Sequence, residues 1–298
     1  MEEPKPFDRP WPPLTPAQRY HLEVHGYVVV ENMFSADECE AMMSELRRVC
    51  DLAVDVDAET HPDQVHLAIN GPNHKCFENI LAASPVLAAY ATHPRMVAMA
   101  EELLGGEARI VESNAHINSR ETDEPRDMLE SGFHTGCDVP FSTHVKNGLT
   151  HCSFVKTLTT LTDLGPDDGG TIVIPGSHKS ALSPIEEIIA AANEDRSLIK
   201  QMEAPAGSTM LFAETLIHGG QPVRSDRERH IIITGYGARM YPYWDPGGFS
   251  EKFLASVPEN LKALFESKAI WKRAPRYRKL SDEADLRHFP LGVWNERK

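Results

Sequence analysis

Apolar and polar residues change their period along this chain, and the change falls near residue 107. Before it, HGYVVVENMF carries a short apolar run that predicts a strand over 26–30. SADECEAMMSELRRVCDLA then predicts a helix, with Ser35 as N-cap and Glu38 three residues later, the reciprocal arrangement of a capping box. SPVLAAYATHPRMVAMAEELLGG predicts two helical segments broken near Pro94, the second closed by Gly105. The intervening stretch 50–75 has no clear period and is expected to be a long loop. After residue 107 come ARIVESNAHINSR, HCSFVKTLTTLTDL, GTIVIPGSHK, STMLFAETLIHGG and RHIIITGYGARM, β-branched runs separated by Gly, Pro and Asp. Strands at short spacing, with no helices expected between them, imply an antiparallel sandwich or barrel. SEKFLASVPENLKALFESK is amphipathic and predicts helix near the end. The expectation is one α+β domain over 1–298: a helical and loop part at 17–106, a β core at 107–242, and a helical and loop segment at 243–298.

Composition narrows the function classes. The 298 residues hold 30 basic and 44 acidic side chains, a net charge of −14, which argues against a general nucleic-acid binder. No run approaches the ~18 apolar residues of a membrane-spanning helix, and no membrane partner is expected. The opening MEEPKPFDRPWPP is acidic and Pro-rich, without the apolar region of a secretory signal. Cys39, Cys50, Cys76, Cys137 and Cys152 are odd in number and form no C-x-x-C pair. They read as reduced thiols of a cytoplasmic protein.

The chemistry lies in the second half. His134 opens HTGCD; His218 ends TMLFAETLIHGG; between them stands DGGTIVIPGSHKS, and beyond comes an Arg-rich run, RSDRERHIIITGY. In this order, and together with the N-terminal GYVVVENMFSADE, these elements resemble the phytanoyl-CoA dioxygenase family over roughly Tyr20 to Tyr243. The resemblance implies a double-stranded β-helix (a jelly roll, cupin-like) that binds Fe(II) at one open end and uses 2-oxoglutarate and O2. It implies metal ligation by His134 and His218 in a facial triad, His-x-carboxylate plus a distant His, with positions left open for co-substrate and oxygen.

Where the carboxylate of that pattern belongs, this chain has Gly136. Three readings of the gap stand side by side. A halide or water fills it, as in family relatives that halogenate, making chloride a further ligand. Another carboxylate replaces it: Asp138 is on the same strand face as His134 but about 13 Å away in extended chain, whereas Glu214 sits in the connection leading to His218. Or iron is lost and the fold is a non-catalytic binder of a small molecule or metal.

The resemblance implies an Arg eleven residues after the second His for the far carboxylate of 2-oxoglutarate, and Arg229 stands there, with Arg227 as fallback; a guanidinium makes two parallel charge-assisted bonds to such a group. Asn114 and Asn118 match family positions whose amides bond the co-substrate, and Gly220 replaces a Ser that relatives often use. His116 alternates with the two Asn and is a candidate supporting residue. His178 and the Asp167–Gly170 loop read as turn structure. His144 and His151 read as solvent or hydrogen-bonded loop residues, Cys137 as a small buried filler, and Trp244, Tyr241 and Tyr243 as packing or a substrate wall. The leading expectation is an Fe(II)/2-oxoglutarate-dependent dioxygenase hydroxylating an unactivated C–H bond of a small molecule. Halogenase and non-catalytic binder are the alternatives.

Overall fold

A computed structural model describes residues 13–123, 132–136, 143–146, 148–179, 185–241, 243 and 248–266. In chain order its elements are α1 (Pro16–His25), β1 (Tyr27–Val30), α2 (Ala36–Leu52), β2 (His66–Asn70), β3 (His74–Glu78), α3 (Pro85–Ala91), α4 (Pro94–Leu104) and β4 (Ala108–Asn118). They continue with β5 (Thr143–Lys146), β6 (Leu149–Cys152), β7 (Phe154–Thr160), β8 (Thr171–Val173), α5 (Ile185–Glu194) and β9 (Lys200–Gln201). The last are β10 (Thr209–Ala213), β11 (His218–Gly220), β12 (Arg229–Ala238) and α6 (Glu251–Ser256).

Local chemistry sets these boundaries. Ser35 and Glu38 close the capping box of α2, as the sequence predicts. The α3–α4 break falls before Pro94, the first residue of α4, and Gly105 ends α4 with φ 69°, a left-handed cap that glycine adopts without Cβ strain. Four expectations need correction. Helix α1 starts in the Pro-rich lead, because Thr15 and Gln18 form a second capping box and Pro16 takes the first helical position. The stretch expected as a loop over 50–75 contains β2 and the start of β3, whose alternation is hidden by the polar residues of an edge pair. Helix α5 interrupts the β half. Helix α6 is only six residues long, since Pro258 stops its pattern before a short 3-10 turn.

The strands form a seven-stranded sheet of order β1-β10-β7-β12-β4-β3-β2, a three-stranded sheet β11-β8-β9, and the β5-β6 hairpin. The pairing within each is antiparallel, and the architecture is a jelly roll whose large sheet recruits β1, β2 and β3 from outside 107–242. Side chains alternate across the large sheet. Its outer face (Ala115, Val155, Leu211, Ile232, Tyr236) packs under α2, α3 and α4 through Met42, Leu46, Leu87, Tyr90 and Met99. Its inner face (Leu158, Met210, Phe212, Ile231) meets Val173, Met202 and Leu216 from the smaller-sheet side. Toward both ends that inner face turns polar: register places Glu112 and Lys156 on either side of Gly235 at one end, and Asn118 opposite Arg229 at the other.

The turn that follows β8 has a structural role. Gly26 caps α1 with φ 83°, and a Cβ there would lie 2.5 Å from Nδ1 of His178. His178 is packed into that corner, and burial, with the Lys179 charge beside it, pushes its pKa down to about 4. A folded pKa below the unfolded one (~6.5) means stability that is complete above pH ~6.5 and lost as pH falls toward 4, because the unfolded chain takes up the proton first. His178→Leu is expected to reduce the loss of urea stability between pH 6.5 and 4, leaving the part due to the other buried histidines, among them His116 and His218, which burial pushes to about 3. An unchanged slope would remove His178 from the account.

Candidate active site

The two histidines singled out by the sequence come together. The segment 132–136 lies beside β11, and His134 and His218 exchange both backbone hydrogen bonds, at 2.9 and 3.0 Å. Their rings stand 4.4 Å apart between centroids, and the edge of Phe212 packs on His218 at 4.9 Å. Each Nδ1 is engaged by a carbonyl two residues earlier, His134 with Gly132 and His218 with Leu216, both at 2.9 Å. That leaves both Nε2 atoms as the outward-facing donors, the arrangement in which a backbone acceptor fixes the tautomer of a metal-binding imidazole. Burial, with His134 adjacent, lowers the pKa of His218 to about 3, so its ring is neutral. His134 is exposed at the rim; His218 is buried.

Gly136 and Glu214 are physically interlocked. The Gly136 N–H donates to the Glu214 carbonyl at 3.2 Å, and the Glu214 N–H donates to Phe154 at 3.1 Å. A Cβ built on Gly136 would fall 1.4 Å from Oε2 of Glu214. The Glu214 carboxylate therefore fills the space in which a side chain at 136 would begin. It is 0% exposed, and neither oxygen has a hydrogen bond among the described residues. Oε1 lies 3.9 Å from Nε2 of His218 and 3.5 Å from Nζ of Lys156. Burial pushes the Glu214 pKa up to about 7, opposed by Lys156 and reinforced by Glu112.

Lys156 is largely buried, its side chain 15% exposed. Burial alone lowers its pKa, but Glu112 and Glu214 more than reverse that, and the ammonium stays charged. Its Nζ is 3.3 Å from Oε2 of Glu112, whose Oε1 accepts from the Asn114 amide at 2.6 Å. Among the described residues no three His, Cys, Asp or Glu side chains form a close-set metal-binding group. His218 approaches both His134 and Glu214, and Glu214 is turned toward Lys156.

Further along the inner face, Arg229 stands opposite Asn118. Arg229 is buried, its pKa is lowered to about 10 by burial against the charge of Glu121, and its Nε has no partner among the described residues. The Asn118 amide donates to Glu121 at 3.1 Å, leaving its Oδ1 open. His116 lies on the same face, its Nδ1 2.9 Å from Nε2 of His74. The fallback Arg227 is instead at the surface, paired with Asp168 at 3.3 Å. Asp168 also ties down the Gly165 N–H and Ser225, and Asp167 holds Arg224, which gives that loop its turn role. His151 is buried in β6 against the carbonyls ending α4, with His144 stacked on it at 5.4 Å; both belong to strands, not loops. Tyr243 packs on Phe249 at 4.2 Å, with its hydroxyl near Ser113. Asp138, Cys137 and Trp244 lie outside the described residues. The residues not anticipated are Lys156, Glu112 and His74. A lone Lys in FVKTLTT, and a Glu in the middle of ARIVESN, both among β-forming residues, are the signals that point to Lys156 and Glu112.

The chain is 26% identical over 229 residues to "Ectoine dioxygenase" of Sphingopyxis alaskensis, covering 70% of each chain. It is 23% identical to "Phytanoyl-CoA dioxygenase, peroxisomal" of Rattus norvegicus, over 81% of this chain and 74% of that one. Its fold matches HygX from Streptomyces hygroscopicus, solved with nickel and 2-oxoglutarate, with a TM-score of 0.61 and 23% identity over 78% of this chain and 90% of the other. It also matches EctD from S. alaskensis, solved with 2-oxoglutarate and 5-hydroxyectoine, with a TM-score of 0.58 and 26% identity over 84% and 86%. Among the described residues no helix is long and apolar enough to cross a membrane. The profile of the phytanoyl-CoA dioxygenase (PhyH) family matches residues 22–231, so the chain belongs to that family and is, with it, a 2-oxoglutarate-dependent oxygenase.

Proposed function

We propose that this enzyme hydroxylates an unactivated C–H bond of a small organic molecule, with Fe(II) held by His134, His218 and Glu214 and 2-oxoglutarate anchored by Arg229. The observation that carries the reading is the place of the Glu214 carboxylate, 1.4 Å from where a Cβ of residue 136 would stand. A facial triad needs its carboxylate beside the first histidine. Here it arrives from the strand connection before the second histidine and lands in the same space. A buried carboxylate without hydrogen bonds is costly unless a cation meets it; two imidazoles presenting Nε2 complete a donor set suited to iron. The halogenase reading needs that space open for chloride, and Glu214 occupies it. The non-catalytic reading leaves Arg229 buried with its Nε unpartnered and no anion to meet it.

Bound iron(II), with 2-oxoglutarate and O2, supplies the oxidising chemistry, in which 2-oxoglutarate leaves as succinate and CO2. The chain's own part is placement. His218 is fixed by Leu216 and Phe212, and His134 by Gly132 and by its ladder to His218. Arg229, sunk in the inner face, offers its guanidinium to the far carboxylate where low polarity strengthens a charged hydrogen bond. Asn118 borders the same pocket. Asn114, matched to the co-substrate by resemblance, spends its amide N–H on Glu112. Leu158, Ile231 and Ile233 line the sheet between the two ends and keep water out.

Glu214→Ala is expected to abolish the visible charge-transfer band that forms when Fe(II) and 2-oxoglutarate are added without oxygen, and Gly136→Asp alone is expected to weaken it, because two carboxylates then compete for one space. The double variant Gly136→Asp/Glu214→Ala should recover the band. Recovery failing while Glu214→Ala binds iron normally would overturn Glu214 as ligand. Arg229→Gln should leave Fe(II) binding intact and weaken 2-oxoglutarate by tens to hundreds-fold, the loss of a charge-assisted pair worth roughly 2–3 kcal/mol; equal affinity would favour the non-catalytic reading. Chloride is expected neither to shift the band nor to appear in product; a chlorinated product would restore the halogenase.

A further inference from the structure

We infer that Lys156 is a positioning residue for the metal carboxylate, the middle of a buried polar chain that runs Asn114–Glu112–Lys156–Glu214 across the large sheet and is let through by Gly235. The inference rests on the reading of Glu214 as an iron ligand and adds what makes that ligand work. Asn114 donates to Glu112 at 2.6 Å, Glu112 meets Lys156 at 3.3 Å, and Lys156 meets Oε1 of Glu214 at 3.5 Å. These residues belong to β4, β7 and the end of β10. Between β4 and β7 lies β12, and the residue of β12 in register with both Glu112 and Lys156 is Gly235.

The lane over Gly235 is already full. A Cβ there would lie 2.8 Å from the Cβ of Glu112, 2.8 Å from the Phe154 ring and 3.0 Å from Oε2 of Glu112. Gly235 has no left-handed backbone to explain it, so its lack of a side chain serves space, not conformation. The Lys156 ammonium also sits 5.7 Å over the Phe154 ring, a further hold on its position. Two glycines thus clear one continuous path: Gly235 lets Glu112 reach Lys156, and Gly136 lets Glu214 reach the histidines.

A long carboxylate brought in from another strand needs such a hold. Glu214 has one more rotatable bond than the Asp it stands in for, and no hydrogen bond fixes either oxygen. Lys156 engages Oε1, the oxygen that also lies 3.9 Å from Nε2 of His218, and so holds the carboxylate turned toward that imidazole. A purely electrostatic role predicts the opposite of a positioning role. An ammonium near the site repels a divalent cation, so removing it without loss of positioning would tighten iron.

The test uses the full chain, freed of metal and titrated anaerobically with Fe(II), then with 2-oxoglutarate. Lys156→Met is expected to weaken Fe(II) about 10–100-fold, the usual effect of losing a group that orients a ligand, and to shift the charge-transfer band, while thermal unfolding stays cooperative. Lys156→Arg should recover part of the affinity. Gly235→Ala should reproduce Lys156→Met with every polar residue retained, while Gly237→Ala, two residues along the same strand, should bind like the parent. If Lys156→Met does not fold, Glu112→Gln gives the same reading in the same direction. Unchanged or tighter Fe(II) binding with an unshifted band in Lys156→Met or Glu112→Gln, while Glu214→Ala has lost iron, would overturn the positioning role and leave the ligand in place. Normal iron binding by Glu214→Ala would overturn the ligand reading itself.

Discussion

A fully buried carboxylate constrains this molecule more than any other single group. Removing Glu214 from water is unfavourable by several kcal/mol unless opposite charge and hydrogen bonds compensate. The backbone is arranged so that the carboxylate cannot leave: Glu214 donates its N–H to Phe154, and its carbonyl accepts from Gly136. Those two bonds tie the end of β10 to β7 on one side and to the His134 segment on the other. The same ladder that places Glu214 therefore places His134, and His134 is laddered to His218. One carboxylate, two imidazoles and a lysine share a frame set by main-chain pairing, which does not depend on side-chain choice.

The sheet divides its labour by face. Outward residues are apolar or hydroxyl-bearing and lock under α2, α3 and α4, and Tyr90 and Tyr236 place their hydroxyls on Thr159 and the Ala91 carbonyl. Inward residues are apolar only in the middle rows. Polar rows lie toward both ends, one with Lys156 and Glu112, the other with Arg229, Asn118 and His74. His116, between the two ends, feels the positive charge of both Arg229 and Lys156. The apolar rows between them exclude water and so strengthen the charged contacts at either end.

Much of this was legible in the chain, and the reasons differ by residue. The capping box at Ser35 and the break at Pro94 are local chemistry, and local chemistry survives folding. His134, His218 and Arg229 are visible because their spacing matches a family pattern, and the structure brings both histidines together and buries the Arg. Glu214 is visible as the carboxylate in the connection that leads to His218. That it fills the Gly136 space is a fact of tertiary packing. Lys156 and Glu112 were missed because a charged residue inside a strand reads as solvent-facing unless its partners are known, and those partners lie on strands far apart in sequence. The β2–β3 edge pair was missed because its polar residues mask the alternation.

On the proposed reading of Glu214 as the metal carboxylate, its delivery from another strand has consequences for the rest of the site. An Asp two residues from a histidine on one strand is oriented by the strand itself, since alternate side chains share a face. A Glu delivered from a different strand loses that orientation and gains a torsion. Fixing a long polar side chain of this kind costs up to about 2 kcal/mol in conformational entropy. A buried ammonium at 3.5 Å from one of its oxygens limits that freedom before any ligand arrives. The ammonium in turn is tolerable in the interior only with Glu112 on its other side, and Glu112 is reachable only across a residue without a side chain. Gly136, Glu214, Lys156, Glu112 and Gly235 are thus linked by physical necessity, each making the next permissible. A chain that kept the Glu but lost either glycine would carry the charges without the geometry that compensates them.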